Sequence, residues 1–404
     1  MKHNWGKELF PKIVWFQEGP GVRNTQYRDT GVKLLNVANL VDSHVDLSTS
    51  NRYISEEEAY GKYKHFLVDD GDFIIASSGI QASYFHKKMG FINKTHLPLC
   101  MNTSTIRFKV LDDSKLNIYF FQYYLKSFDF NLQLQKALTG CAQLNFGPSH
   151  LKKMKCPLPP MVVQEHIVAE LDKINETIED CRELLRNLDA LAQSLFYDTF
   201  GDPITNPKGW EMKHFKEILY KIGSGATPKG GKQSYQGGNI SLIRSLNVYN
   251  TYFKYDDLAK INANQAYELR NVEVQFDDVL LNITGASVAR CFIVPKDTLP
   301  ARVNQHVAIL RPNNKFIRPK FLHRLIITPS FQNFLIGTAR GKSATREALP
   351  KATLEMIKIP VPPISLQEQF AARIEQIEEQ KKAVEQTIAE LQTLLDSRMD
   401  YWFN

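Results

Sequence analysis

The chain has 404 residues, of which 43% are hydrophobic and 23% are charged, and its formal net charge is +7 at pH 7. At about 150 residues per domain this length predicts two or three domains, and the composition excludes a collagen-like, low-complexity or wholly disordered protein. No apolar run reaches the roughly 18 residues of a membrane span, and the first residues lack the apolar stretch of a signal peptide.

The five cysteines are Cys100, Cys141, Cys156, Cys181 and Cys291, and none forms a CxxC pair. An odd number without paired spacing argues against a disulfide framework and against a zinc knuckle. Small, buried, reduced thiols are the expectation, and with them a cytoplasmic location.

The first half of the chain begins with short apolar runs that predict strands. They are β-branched, are bounded by Gly, Asn or Pro, and lie within residues 27–39, 69–79 and 97–108. An aromatic-rich helical stretch follows near 116–137, and a polar loop with glycine follows at 139–147. The adjacent carboxylates Asp69 and Asp70 precede a strand, a place where Asp favours turns.

A proline-rich block, Lys155 to Glu165, leads into a long predicted helix over about 163–199. The prolines restrict the block to extended backbone, so it delivers the chain to the start of the helix. Apolar residues then recur in alternating steps of three and four, which is the spacing of a coiled-coil seam. The seam positions are Leu171, Ile174, Ile178, Cys181, Leu185, Leu188, Ala192 and Leu195.

The second half opens with a predicted linker, 201–210, and then repeats the order of the first. Predicted strands lie within 235–247, 275–285 and 299–310, an aromatic-rich helical stretch near 318–337, and a polar loop at 338–347. Asp277 and Asp278 again precede a strand. A second proline block, Lys358 to Glu368, leads into a second predicted helix over about 366–400. Its seam positions are Ile374, Ile377, Lys381, Val384, Ile388, Leu391, Leu395 and Arg398, so two of the eight are charged.

The two proline blocks lie 203 residues apart, half of the chain length, and six of the twelve positions from Met154 to Glu165 are identical in the repeat. The predicted architecture is therefore globular domain, long helix, globular domain, long helix. Each helix of roughly 35 residues would be about 50 Å long. If the halves are equivalent, a pseudo-two-fold axis relates them and the helices pair antiparallel. The alternative is that each helix packs only against its own domain.

A search for catalytic motifs finds none with the required spacing. The chain lacks a Walker A loop, a G-x-G-x-x-G after a strand, H-E-x-x-H, G-x-S-x-G, and the Asn/Asp-Pro-Pro-aromatic motif of amino-methyltransferases. Duplicated domains without catalytic groups indicate binding at two places.

Loops beside the predicted strands are rich in residues that can contact DNA. Lys and Arg bind phosphates, whereas Arg, Asn, Gln, Ser and Thr can read base edges. The candidates in the first half are Lys33, Asn36, Asn39, Ser77, Ser78, Gln81, Lys87, Lys88, Lys94, Gln143 and Asn145. Those in the second half are Lys229, Lys232, Arg244, Ser245, Asn247, Asn282, Thr284, Arg290, Arg302, Arg340, Lys342 and Arg346.

These features together resemble the specificity (S) subunit of type I restriction-modification enzymes. The resemblance rests on the repeated K-x-P-x-P-P-x-x-x-Q-E block with its helix, the opening at 207–210 with 222–228, and the D-D-V-L-L strand block. It covers nearly the whole chain. The first half has a less clear counterpart to 222–228, and Lys381 and Arg398 interrupt the second seam.

The resemblance implies an α+β protein: two α/β target-recognition domains joined by two long antiparallel helices in a coiled coil, with a pseudo-two-fold internal repeat. The expected boundaries are 1–155 and 201–360 for the recognition domains and 156–200 and 361–404 for the spacer helices. Each domain would read one half of an asymmetric DNA site, and the helices would set the spacer. The resemblance transfers no base-reading residue.

The resemblance also implies the partners. Two modification subunits would carry S-adenosylmethionine and methylate adenines, and restriction subunits would use ATP and magnesium to translocate and cleave DNA. This chain would be no enzyme and would hold neither cofactor nor metal. The main alternative is a coiled-coil adaptor whose globular domains bind proteins. A weaker alternative is a self-sufficient nuclease or methyltransferase.

Overall fold

The structure, a computed structural model, describes residues 5–137, 144–228, 235, 237–341 and 347–404. The chain divides into two compact units, unit 1 comprising Met1–Cys181 with Thr387–Asn404 and unit 2 comprising Arg182–Gln386. Each unit therefore contains one part of each long helix. The domain boundaries expected at 155, 200 and 360 stay a prediction. Five of the candidate residues lie outside the described ones: Gln143, Lys229, Lys232, Lys342 and Arg346.

Unit 1 is a mixture of short strands and helices, followed by a long helix whose second part belongs to unit 2. Its elements in chain order are β1 (Lys7–Leu9), α1 (Phe10–Ile13), β2 (Val14–Glu18), β3 (Val32–Leu35), β4 (Leu40–Val41), β5 (His44–Val45), β6 (Tyr53–Ile54), α2 (Glu56–Tyr60), β7 (Phe73–Ala76), β8 (Ser78–Ile80), β9 (Met89–Phe91), β10 (Leu99–Met101), β11 (Thr105–Val110), α3 (Ile118–Lys126), α4 (Phe128–Ala137), β12 (Leu144–Asn145), α5 (Pro148–Leu151), β13 (Lys155–Pro157) and α6 (Met161–Phe200).

Two sheets form the body of unit 1. One is antiparallel with strand order β2-β11-β7-β9, and the other has the order β10-β3-β6, in which β10 and β3 run parallel. Smaller pairs join β1 to β13, β4 to β5 and β8 to β12. The β1–β13 pair brings the proline block back beside the start of the chain.

Unit 2 repeats this order of elements. They are β14 (Met212–His214), α7 (Phe215–Ile218), β15 (Leu219–Ser224), β16 (Ile240–Ile243), β17 (Ala259–Ile261), α8 (Ala263–Glu268), β18 (Glu273–Val274), β19 (Val279–Asn282), β20 (Cys291–Ile293), β21 (Ala301–Val303), β22 (Val307–Pro312), α9 (Pro319–Ile326), α10 (Pro329–Arg340), α11 (Lys351–Met356), β23 (Lys358–Pro360) and α12 (Ile364–Phe403).

The sheets of unit 2 match those of unit 1. The order β15-β22-β19-β20 corresponds to β2-β11-β7-β9, and the order β17-β16-β21-β18 contains the parallel pair β16–β21 where unit 1 has β3–β10. The internal repeat predicted from the proline blocks therefore extends through the sheets.

Aromatic side chains fill the core of each unit. In unit 1 the ring of Phe10 lies 5.0 Å from that of Phe121 and 5.9 Å from that of Phe130. In unit 2 the ring of Phe200 lies 4.7 Å from Phe321 and 5.0 Å from Phe370. All six are almost fully buried, and this burial of apolar surface stabilises each unit.

The two long helices are confirmed, and each is longer than predicted by a few residues. Helices α6 and α12 have 40 residues each and begin 203 residues apart. At the end of α6, Gly201 adopts φ +79 and its N–H donates to the carbonyl of Tyr197 (2.8 Å). Glycine tolerates this left-handed conformation, which ends the helix there.

Within each unit the two helices run antiparallel. In unit 1, His166 of α6 meets Trp402 of α12, and Glu170 meets Arg398. In unit 2, Asp189 of α6 binds Lys381 of α12, their charged atoms 2.7 Å apart. The two charged residues that interrupt the predicted seam thus form ion pairs across it.

The apolar seam positions face inward in both helices. Every one is buried or half-buried, while the residues between them are mostly exposed. The positions are Leu171, Ile174, Ile178, Leu185, Leu188, Leu195, Ile374, Ile377, Val384, Ile388, Leu391 and Leu395. Residues near the ends also enter the unit cores, so pairing and packing against the domain occur together.

Two predicted loops differ from expectation. The loop predicted at 338–347 starts later, because α10 continues to Arg340. The predicted linker 201–210 is a closed turn: the indole N–H of Trp210 donates to the carbonyl of Phe200 (2.9 Å), and the Asn206 side chain bonds Trp210 in both directions. Among the residues that the structure describes, no helix combines the length and apolarity needed to cross a membrane.

Candidate nucleic-acid interface

Four connections meet at one edge of each unit, and they contain most of the candidate residues. We call residues 36–41, 77–88, 102–104 and 144–147 the first loop cluster, and residues 244–249, 283–290, 304–306 and 347–349 the second. In the first, Asn102 Nδ2 donates to Asn36 Oδ1 (2.8 Å), and the N–H of Ser77 donates to the carbonyl of Ser104 (2.8 Å). The N–H of Phe146 donates to the carbonyl of Ser77 (2.9 Å).

The second loop cluster is assembled in the same way. The N–H of Leu349 donates to the carbonyl of Ile283 (2.8 Å), as Phe146 does to Ser77 in unit 1. The N–H of Ile283 donates to the carbonyl of His306 (3.0 Å), which matches the bond from Ser77 to Ser104. The two clusters thus share one backbone frame.

Asn39 and Asn247 hold equivalent loops closed. Each accepts a hydrogen bond at Oδ1 from the N–H three residues earlier, and each donates from Nδ2 to the carbonyl seven residues later, at 3.0 Å to Asp46 and 2.9 Å to Lys254. Both side chains are fully buried. Their polar groups are therefore used within the loop, and neither side chain reaches the surface in this structure.

Asn36, Ser77 and Asn282 are also buried. Asn282 Nδ2 donates to the carbonyl of Ser245 (2.9 Å), which fixes the loop after β16 against the end of β19. The hydroxyl of Ser77 and the Oδ1 of Asn282 have no hydrogen-bond partner in the structure. These three residues therefore lie under the loop surface and support the loops, and they do not form part of the exposed surface.

Ser245, Thr284 and Arg290 come together at the surface of the second loop cluster. They line an open cavity of about 450 Å³ together with Tyr249 and His306. The Arg290 guanidinium lies 4.5 Å from the centre of the Tyr249 ring, a cation–π contact that orients it. The cavity combines one cation, hydroxyl groups and an imidazole, groups that suit phosphate and base contacts.

Lys88 takes the place of Arg290 in the first loop cluster. Its ammonium donates to the carbonyl of Leu40 (2.7 Å), so its stem lies across the loop after β3. The neighbouring Lys87 is exposed and pairs with Asp42 at 3.3 Å. Gln81 and Asn145 are exposed at the same edge.

Arg244 lies at the margin of the second loop cluster. Its guanidinium donates to the carbonyl of Asp257 and lies 5.8 Å from the Tyr235 ring. At the margin of the first, the Glu18 carboxylate lies beside Gly147. Partial burial raises the pKa of Glu18 above its ordinary value.

Three candidates lie away from the clusters, and a fourth, Arg340, contacts the second loop cluster from the end of α10. The Lys33 ammonium donates to the carbonyl of Leu47 (2.5 Å) from within β3. Lys94 follows the far end of β9, and Arg302 is buried in β21, where it pairs with Glu273 at 3.4 Å. Arg340 ends α10 and pairs with Glu347 at 2.9 Å.

Several cluster residues were not among the candidates. Thr103 and Ser104 in unit 1 and Gln305 and His306 in unit 2 occupy equivalent connections, between β10 and β11 and between β21 and β22. The signal was present, because these residues lie inside the repeated blocks 97–108 and 299–310. Each block contains two short apolar runs, and the sequence alone did not show that these four residues form the connection between two strands.

The comparisons with known proteins agree on one family. The model of the type I restriction modification DNA specificity domain matches residues 30–188 and 207–393. The EcoBI type I restriction enzyme specificity subunit of Escherichia coli is 24% identical over 93% of this chain and 79% of its own length. The putative MjaX specificity subunit of Methanocaldococcus jannaschii is 21% identical over 89% and 83%.

Solved structures share the fold. The type I restriction-modification S subunit from M. genitalium matches with a TM-score of 0.53 and 14% identity, over 99% of this chain and 96% of that one. A chain from a structure that addresses complex assembly and conformational transition of the type I R-M system matches with a TM-score of 0.56 and 17% identity, over 99% and 97%. Because the family model matches most of the sequence in two segments, the chain belongs to the family of type I restriction-modification DNA specificity subunits, which are not themselves the catalytic components.

Proposed function

We propose that this chain reads a bipartite, asymmetric DNA sequence, one half-site with each loop cluster. The observation that carries the proposal is that both units build the same loop frame and present different side chains on it. Asn39 and Asn247 hold equivalent loops, and the cations Lys88 and Arg290 occupy equivalent places. Two similar frames with unlike surfaces suit two different half-sites.

We propose further that the chain directs two modification subunits and the restriction subunits of a type I complex, and that the paired helices set the spacer between half-sites. S-adenosylmethionine, ATP and magnesium would be held by those partners, in the cytoplasm, and not by this chain. The specificity subunits among its relatives support this assignment, as do the free thiols of Cys100, Cys156, Cys181 and Cys291.

The test is binding of duplex DNA by the chain assembled with its modification subunits, measured over a range of salt concentrations. Phosphate contacts release counterions, so the logarithm of the association constant should fall linearly with that of salt. Arg290→Ala and Lys88→Ala should each reduce the slope by about one. Lys94→Ala is the matched control, because Lys94 lies at the far end of β9.

The same experiment separates DNA reading from a protein-binding adaptor. An adaptor would assemble with its partners yet show no preference for one duplex sequence over another. Equal binding to all duplexes, with slopes unchanged by both substitutions, would contradict the proposed function.

A further inference from the structure

The connection between β10 and β11 and the connection between β21 and β22 each have a buried asparagine that holds the backbone, but they differ in their exposed side chains. In unit 1, Asn102 Oδ1 accepts from the N–H of Thr103 (2.8 Å); in unit 2, Asn304 Oδ1 accepts from the N–H of His306 (3.0 Å). Both asparagines are buried, whereas Thr103 and Gln305 are exposed. The frame fixes the backbone, and the exposed side chains are free to differ.

A hydroxyl from the connection after β7 or β19 supports each of these two connections. Ser78 Oγ lies 2.5 Å from Ser104 Oγ in unit 1, and Thr284 Oγ1 lies 2.6 Å from His306 Nδ1 in unit 2. The pairs occupy equivalent places in the repeat. Unit 1 therefore presents short hydroxyls where unit 2 presents an imidazole.

In unit 2 the polar side chains continue outward from His306. The amide of Gln305 lies 3.2 Å from His306 Nε2, and the hydroxyl of Thr227 donates to Gln305 Oε1. With the Gln305 amide donating to Nε2, the Nδ1–H of His306 faces Thr284. These contacts orient the exposed Gln305 amide beside His306, which lines the same cavity as Arg290.

We propose that Gln305 and His306, supported by Thr284, read base edges in one half-site, and that Thr103 and Ser104, supported by Ser78, read base edges in the other. This inference rests on the proposed function, because it names the side chains that distinguish the half-sites. An oriented amide offers a donor and an acceptor side by side, which can pair with a base edge in the major groove. Arg290 and Lys88, on the neighbouring connections, supply the phosphate contacts that hold such an edge in register.

The test is the adenine-methylation motif produced by the complex of this chain with its modification subunits, determined by sequencing methylated DNA. The double variant Gln305→Thr/His306→Ser places the unit 1 side chains on the unit 2 frame. It should change or relax base preference in one half-site, by about tenfold at one position or more. The double variant Thr103→Ala/Ser78→Ala should relax the other half-site instead.

Gln305→Glu gives a second variant, which keeps the size of this exposed side chain and replaces the amide donor that faces His306 Nε2 with an acceptor. It should alter base preference in the same half-site as the double variant. Gln275→Glu is the matched control: it makes the same charge change at an exposed position next to the turn before β19, at the other end of that strand. Its motif should be that of the wild type.

The outcomes are distinguishable. A motif unchanged in the Gln305 variants, with methylation intact, would overturn this inference and leave the proposed function standing. Both half-sites altered by one variant would overturn it too, because each unit would then not read alone. A wild-type complex that methylates without sequence preference would overturn the proposed function, and this inference with it.

Discussion

At the scale of single residues, the most informative side chains are the two glutamines of the repeated proline block. Gln164 and Gln367 are fully buried at the starts of α6 and α12. Gln164 Nε2 donates to the carbonyls of Lys115 and Pro159 (both 2.8 Å), and Oε1 accepts from the N–H of Asn117 (2.9 Å). Gln367 makes the corresponding three bonds. The motif that revealed the repeat thus fastens each long helix to the loop before α3 or α9.

Removal of one of these glutamines should destabilise its unit strongly. Gln367→Ala would leave the carbonyls of Phe316 and Pro362 and the N–H of Arg318 without their partner. We expect the free energy of unfolding to fall by about 2–4 kcal/mol, measured by denaturant titration. Gln376→Ala, exposed on the same helix, should change it by no more than about 0.5 kcal/mol. Equal effects of the two substitutions would contradict this role.

His323 is a second buried polar residue with a measurable consequence. Its Nε2–H donates hydrogen bonds to the carbonyls of Asn250 (3.0 Å) and Cys291 (3.2 Å). Burial lowers the pKa of His323 to about 3. The unfolded chain binds a proton below about pH 6.5, whereas the folded unit does so only near pH 3. Stability from this residue is therefore complete above pH 6.5 and is lost as pH falls below it.

His323→Gln should flatten this pH dependence. Unit 1 has Gln122 at the equivalent place of its helix α3. Between pH 6 and 4.5 the wild type should lose about 1.4 kcal/mol of unfolding free energy per pH unit more than the variant. Urea unfolding measures this free energy at each pH. If it gave the same pH dependence for the wild type and the variant, His323 would not titrate in this way.

At the scale of elements, the two ion pairs across the helices are unlike the apolar seam around them. Arg398 binds Glu170, and Trp402 Nε1 donates to the same carboxylate (2.8 Å). Lys381 binds Asp189. A charged residue in an apolar seam favours one register and one partner, because any other pairing leaves the charge without its counterpart.

We expect Glu170→Leu to lower stability by about 1 kcal/mol, since Arg398 would keep its charge in a half-buried place without a partner. The double variant Glu170→Leu/Arg398→Leu should recover the loss, because the seam becomes continuous. Thermal unfolding of both variants checks the sign. A double variant less stable than the single one would contradict the account.

The long helices could be predicted from the sequence, because a repeat of three and four residues depends only on neighbours along the chain. Sheet order could not, because the pairing of β3 with β10 joins residues far apart in sequence. The loop clusters were predicted in part. Residue type does not distinguish a buried asparagine such as Asn247 from an exposed one. Gln305 was not predicted, because the sequence does not show that the block 299–310 contains a connection between two strands.

At the scale of the whole molecule, the proposed reading of one half-site by each unit implies that recognition can be exchanged unit by unit, provided that the exchange follows the packing. The core of unit 1 includes Phe403, whose ring lies 5.4 Å from Phe120 and 6.1 Å from Tyr124. Leu395, Met399 and Trp402 pack against the same core. A segment ending at residue 155 therefore omits part of what stabilises unit 1.

Chimeras test this directly. Exchange of residues 1–181 together with 387–404 for those of a relative should alter one half-site of the methylation motif and keep near-native thermal stability. Exchange of residues 1–155 alone should alter the same half-site but lower the melting temperature by several degrees, because α12 would meet a foreign core. Equal stability of the two chimeras would show that residues 387–404 contribute little. Changes in both half-sites would contradict reading by separate units.

The place of Phe403 also bears on the order in which the protein can fold during synthesis. Unit 2 is one continuous segment, Arg182–Gln386, and all of its residues have been made before Thr387 is added. Unit 1 is begun first, yet Phe120 and Tyr124 lack one neighbour until Phe403 emerges from the ribosome. The unit translated first is thus the last to be completed, and a nascent chain halted in α12 carries an unfinished apolar surface that a chaperone or protease can recognise.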